Sequence, residues 1–182
     1  MVLTKSGDKL GLGDKAPSFK LSGVDGKEHS LDEFSNKAVL IIFMCNHCPY
    51  VIPKLDYIKK LQEDYKDKIV IIGINSNDPS DYPEDSFDNM KKISEEKGFN
   101  FLYLFDESQE VAKSYGASCT PDPFLFNEKH ELAYHGRIND QMEPYHEVNE
   151  HDMRRAFDCV LAGKDVDFEV SPSIGCSIKW KR

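Results

Sequence analysis

The sequence predicts an α/β domain: a central mixed β-sheet flanked by helices, with a β-hairpin extension at its N-terminus. Three observations carry this. Continuous apolar, β-branched runs at residues 37–44 (KAVLIIFM), 68–76 (KIVIIGINS) and 99–105 (FNFLYLF) read as strands buried on both faces. Segments with helical spacing of apolar residues separate them, which implies βαβ units and parallel strands. Paired short runs near both ends add antiparallel strands. No linker rich in Pro and Gly divides the 182 residues, so 1–182 is read as one domain. Within it, 1–36 is the hairpin extension and 165–182 a C-terminal tail packed on the domain.

In chain order, FKLSGVDGKEHSL predicts two short strands turning at Asp25-Gly26. After the first buried strand, Val51, Leu55, Ile58 and Leu61 recur at helical spacing. The second buried strand leads into an acidic loop, Asn77 to Asp85, expected to be solvated surface. Pro83 is expected to open the next helix, with Phe87, Met90 and Ile93 on one face and Gly98 at its end. After the third strand, a short helix is predicted over Gln109 to Tyr115, closed by Gly116. PFLFN and ELAYHGRI then form a strand pair around Asn127 to His130. Asn149 is the expected cap of a last helix that turns Met153, Phe157, Val160 and Leu161 inward. In the tail, Cys176, Ile178 and Trp180 alternate with Ser177, Lys179 and Lys181, so one face is expected to pack.

Composition limits the function. A formal charge of -9 argues against nucleic acid or an anionic membrane as partner, since both attract basic surfaces. The N-terminus shows no secretory-type apolar region, and no apolar run approaches the roughly 20 residues of a membrane span. A cytoplasmic protein is expected. Five cysteines, an odd number, leave at least one unpaired within a monomer. In a reducing compartment a CxxC serves redox chemistry or metal binding more often than structure.

The CxxC is Cys45-Asn46-His47-Cys48, expected where the first buried strand ends and a helix begins. Unpaired backbone N–H groups and the helix dipole would favour a thiolate there. Free cysteine titrates near 8.5; bringing it to about 7 needs ~2 kcal/mol of selective stabilisation. His47 adds a hydrogen bond or a charge beside the sulfur. Cys45, at the expected exposed tip, would attack a disulfide, and Cys48 would resolve the mixed disulfide. Structural zinc is the bland rival, but it needs four ligands, and Cys119 and Cys176 are isolated in the sequence. Cys119, Cys159 and Cys176 read first as core residues. The sharper alternative makes Cys119 and Cys176 auxiliary redox groups, paired with each other or relaying oxidation from Cys48. The run EPYHEVNEHD gathers His146, Glu147, Glu150, His151 and Asp152, and helix capping explains it better than metal binding. No metal site is assigned.

Several motifs together resemble the thioredoxin superfamily, in its peroxiredoxin-like branch (alkyl hydroperoxide reductase/thiol-specific antioxidant). GDKAPSFKLSGVDGKEHSL resembles that branch's N-terminal hairpin, and CNHCPYVIP the thioredoxin active-site helix, with Pro53 at its kink. GASCTPDPFLF resembles the segment whose cis-proline faces the CxxC, and GCSIKWK a tail of the peroxiredoxin-like subgroup. The resemblance implies a thioredoxin fold in which Thr120 and a cis Pro121 hold an extended substrate, while Asn46 and His47 tune the thiolate. It implies thiol-disulfide oxidoreductase activity on a protein or small disulfide, reduced by another thiol system, with no bound cofactor. Two positions depart from the relatives. Met44 stands where thioredoxins have Trp, and the strand VLIIFM lacks their buried Asp. Peroxiredoxins align their peroxidatic cysteine with Cys48 and need Thr or Ser at Cys45 and Pro at Ile41. Thiol peroxidase is therefore the alternative function, and a copper- or zinc-binding module using Cys45, His47 and Cys48 a further one.

Overall fold

The computed structural model describes residues 3–142 and 146–182. Its centre is a run of three parallel strands: β4 (Ala38–Phe43), β5 (Ile69–Asn75) and β6 (Leu102–Phe105). All six residues of β4 are buried, as its unbroken apolar run requires. Its side chains alternate between two cores. Ala38, Leu40 and Ile42 join α1 (Leu55–Tyr65), α2 (Phe87–Glu96) and α4 (Asp152–Leu161) on one face. Val39, Ile41 and Phe43 meet Ala112 and Tyr115 of α3 (Glu110–Tyr115) on the other.

Antiparallel strands complete the sheet. The hairpin β2 (Lys20–Gly23) and β3 (Glu28–Ser30) adds to the β6 edge, with Gly26 at φ 80° in its turn. A left-handed residue there is cheap only for glycine. At the other edge β8 (Asp122–Phe126) pairs with β4, and β9 (Leu132–His135) with β8. The seven-strand order is β3-β2-β6-β5-β4-β8-β9. The predicted mixed sheet flanked by helices is thus observed. A second, three-stranded sheet has the order β1-β10-β7, from β1 (Leu3–Lys5), β10 (Ile174–Ser177) and β7 (Cys119–Thr120).

Several local expectations are corrected. Pro83 opens a tight turn, Pro83–Asp85, and Ser86 caps α2 by accepting a hydrogen bond from Asn89 N. α4 begins after His151. Asn149 is not its cap: its N–H donates to Asp140 and its side-chain amide to the Glu147 carbonyl. Cys159 is half-buried, not core, because it sits on the flank of α4 beside Asp167. In the tail Cys176 and Ile178 are buried, but Trp180 is 41% exposed: the strand ends at Ser177, and the alternation ends with it. Residues 143–145 of the EPYHEVNEHD run lie outside the described residues. In its described part, His151 stacks on Tyr57 and Asp152 pairs with Arg137.

Candidate active site

β4 delivers the cysteine pair. Beyond Phe43, Met44 N still donates to the Ile74 carbonyl, and the chain then leaves the sheet. Residues 45–51 form a loop, not a helix. Pro49 lacks an N–H donor and disfavours helical geometry at Cys48, the residue before it, whereas Pro53 falls in the first turn of the helical run that follows, where a missing N–H costs nothing. A short turn, Ile52–Lys54, leads into α1. Pro53 therefore lies ahead of α1 and does not kink it. Cys45 is likewise not at a helix N-terminus, nor exposed: Cys45 is 1% and Cys48 0% accessible.

The acidic loop after β5 supplies what β4 lacks. Asp85, expected at the surface, is fully buried under the cysteine loop. Its Oδ1 accepts from Asn46 N at 2.8 Å, and its Oδ2 from Asn77 Nδ2 at 2.7 Å. His47 Nδ1 lies 2.8 Å from Oδ2 without hydrogen-bond alignment, and its ring stacks on Tyr82 at 4.7 Å. Asn46 is an anchor: its Nδ2 donates to the Glu84 carbonyl, and its Oδ1 accepts from Tyr103 Oη. Among the described residues, Cys45, His47 and Asp85 are the group whose ligand-type atoms converge, all within 4.8 Å of one another. The sequence expectation had Cys48 in that role instead of Asp85.

The opposite wall is the cis Thr120–Pro121 bond. Thr120 Oγ1 lies 3.6 Å from Cys45 Sγ, and the Thr120 carbonyl oxygen 3.1 Å from Cys48 Sγ. β10 pairs with β7 so that Cys176 faces Thr120, and Cys176 Sγ is 3.2 Å from Cys48 Sγ. Cys119 is buried beside the Pro121 carbonyl, and burial raises its thiol.

The interaction of Cys45 and Cys48 with each other is the largest influence on both thiols. Cys48 is lowered to about 5 by Cys45 first, against its own burial, with Thr120 and Cys176 also lowering it. Cys45 is held well above its ordinary range by that interaction, by burial, and by the charge of Asp85. Lys54 adds to the asymmetry. It is buried with its ammonium on the Gln141 carbonyl; burial lowers it to about 8, against the attraction of Asp140 and Cys48. Both shifts run in the direction that favours a thiolate at Cys48 over one at Cys45.

Asp85, Tyr103 and Lys54 were not read as site residues from the sequence. A signal for Asp85 exists: parallel neighbours β4 and β5 bring their following loops together at one sheet end, the usual place for α/β sites.

Fold and site together define a thioredoxin-like α/β protein with a buried cysteine pair facing a cis-proline turn. A family model described as Redoxin matches residues 12–153. The chain belongs to the Redoxin family, within the thioredoxin-like superfamily that the motifs led us to expect. An uncharacterized conserved protein from Geobacillus kaustophilus is 43% identical, with a TM-score of 0.93 over 100% of this chain and 97% of that one. The thioredoxin domain of a thiol-disulfide oxidoreductase from Bacteroides vulgatus gives a TM-score of 0.60 at 22% identity, over 70% of this chain and 89% of that one, a likeness of fold. Thiol-disulfide oxidoreductase ResA of Geobacillus thermodenitrificans is 28% identical over 119 residues, 65% of this chain and 64% of that protein. The chain thus spans slightly under two thirds of that relative's length.

Proposed function

We propose that the chain is a thiol-disulfide oxidoreductase that cycles Cys45 and Cys48 between dithiol and disulfide. One observation carries this reading: both sulfurs lie against the cis Thr120–Pro121 turn, Cys45 Sγ 3.6 Å from Thr120 Oγ1 and Cys48 Sγ 3.1 Å from the Thr120 carbonyl oxygen. The steps balance. Cys45 gives its proton to Cys48 as its sulfur attacks a substrate disulfide, and the first substrate thiolate leaves. Cys48 then attacks Cys45 Sγ, closes the Cys45–Cys48 disulfide, and passes the proton to the second leaving sulfur. A separate thiol system returns two electrons. Thr120 and Pro121 line the approach, while Asn46 and His47 fix the loop over Asp85.

A depressed Cys48 stabilises the reduced form, which raises the reduction potential. The substrate class is disulfide-bearing protein. The compartment we infer is the cytoplasm, on the odd cysteine count; no helix among the described residues is long and apolar enough to cross a membrane. The test is reduction of insulin by a coupled thiol reductant, together with Cys48→Ser trapping. The account expects turnover in the natural protein and mixed disulfides at Cys45 in the variant. No turnover and no trapped partner would reject it.

A second reading rests on the convergence of Cys45, His47 and Asp85, a soft and hard donor set that suits zinc. Stoichiometric metal in anaerobically purified protein, lost in Asp85→Asn, would favour it.

A further inference from the structure

The thiol chemistry proposed above leaves two buried sulfurs unused, Cys119 and Cys176, and of these Cys176 lies against the pair. Cys176 Sγ lies 3.2 Å from Cys48 Sγ, on the side of Cys48 that faces the tail. The contact is built by several elements. β10 pairs with β7 so that Cys176 stands opposite Thr120, and with β1 so that it also stands opposite Leu3. Ser173 Oγ donates to the Pro121 carbonyl at 2.6 Å, and Ser6 N to the Ser173 carbonyl at 3.0 Å. Position 175 must be glycine here: a Cβ there would sit inside the Thr120 carbonyl. The tail is thus held flat against the turn that faces the cysteine pair, with its sulfur aimed at Cys48.

Resting on the proposed Cys45–Cys48 cycle, we infer that Cys176 is a third redox cysteine, which takes over the disulfide by attacking Cys48 Sγ. The step is an isomerisation with no net oxidation. The Cys176–Cys48 bond forms, the Cys45–Cys48 bond breaks, and the proton of Cys176 passes to the leaving Cys45 sulfur. Cys45 is thereby restored as a thiol while the oxidised state is stored between Cys48 and the tail. The electrostatics suit this order. Burial first, then the hydrogen bond and charge of Cys48, hold the Cys176 thiol at about 12 in the reduced protein, against the opposing Lys179. Oxidation of Cys48 removes its charge, so Cys176 becomes the better nucleophile once there is a disulfide to attack. Cys119 plays no part in the relay: its sulfur contacts the Pro121 carbonyl at 3.7 Å, and it pairs in register with Ser177.

The test is disulfide mapping by mass spectrometry. The full chain is oxidised with one equivalent of oxidised glutathione and quenched in acid. The natural protein should yield a Cys48–Cys176 peptide pair besides Cys45–Cys48. Cys45→Ser should still close Cys48–Cys176, which a merely structural Cys176 would not do. Gly175→Ala, which pushes β10 off Thr120, should reduce the Cys48–Cys176 yield and spare Cys45–Cys48. Absence of Cys48–Cys176 in both the natural protein and Cys45→Ser overturns the inference. If Cys45–Cys48 still forms in Cys176→Ser, the proposed function stands alone; if it does not, both fall.

Discussion

Asp85 is a residue that the site adds from outside the cysteine loop, and its charge works against an anion on Cys45, after the Cys48 contact and burial. Its carboxylate opposes an anion on Cys45, while the neighbouring Cys45 thiol and Lys54 favour one on Cys48. Two outcomes follow. In a Cys48→Ser background, Asp85→Asn should move the Cys45 titration to lower pH, read by ultraviolet thiolate absorbance; an unchanged or higher midpoint would contradict the assignment. In the natural protein, alkylation of the pair should fall off only as the pH drops through about 5, the value for Cys48. It should shift upward in Cys45→Ser, which loses the hydrogen bond. An acid lowered in this way is ionised above its midpoint and protonated below it, so the sign of the profile is fixed.

At the scale of elements, β4 and the N-terminal hairpin do different work. β4 is buried on both faces, so Ile42→Ala should destabilise the protein by about 2–5 kcal/mol in denaturant melts, the usual cost of a large-to-small core change. The hairpin is pinned by His29, whose ring nitrogens contact Asp25 and Glu33 at 3.0 and 3.1 Å. Burial works to lower His29, but those partners outweigh it and hold the imidazole above its ordinary value. The bridge is therefore complete below the unfolded-state pKa of about 6.5 and lost as pH rises through the folded-state value. His29→Gln should cost more stability at pH 5.5 than at pH 8.5, on the order of those settings. An equal loss at both would remove the bridge from the account.

These elements also mark what the sequence made legible. The strands were readable because an unbroken β-branched run has one stable place in an α/β sheet, and Asp25-Gly26 names its own turn. The loop form of residues 45–51 was harder to see: helical spacing at Val51, Leu55 and Ile58 masked the stop imposed by Pro49. Asn149 looked like a cap because its residue type is right, but its side chain is spent on Glu147.

Across the whole molecule, the site is assembled from segments far apart in sequence: Cys45–Cys48 after β4, Asp85 after β5, Thr120–Pro121, and the tail at Cys176. A single sequence exposes the first and third by motif. It hides the second, which depends on sheet order, and names Cys176 of the fourth only as an alternative, because its position against Cys48 comes from the separate β1-β10-β7 sheet. The cysteine pair and its cis-proline turn were therefore named in advance, whereas Asp85 was placed at the surface; Cys176 was read first as core, which its burial bears out, with a redox role as the alternative. The most direct measurement is a redox titration of the intact protein against glutathione buffers, with the disulfide located by peptide mapping. The account predicts a two-electron couple at Cys45 and Cys48, with a midpoint above the thioredoxin value of about −270 mV. A midpoint at or below that value, or an oxidised protein in which these two sulfurs remain thiols, would contradict it.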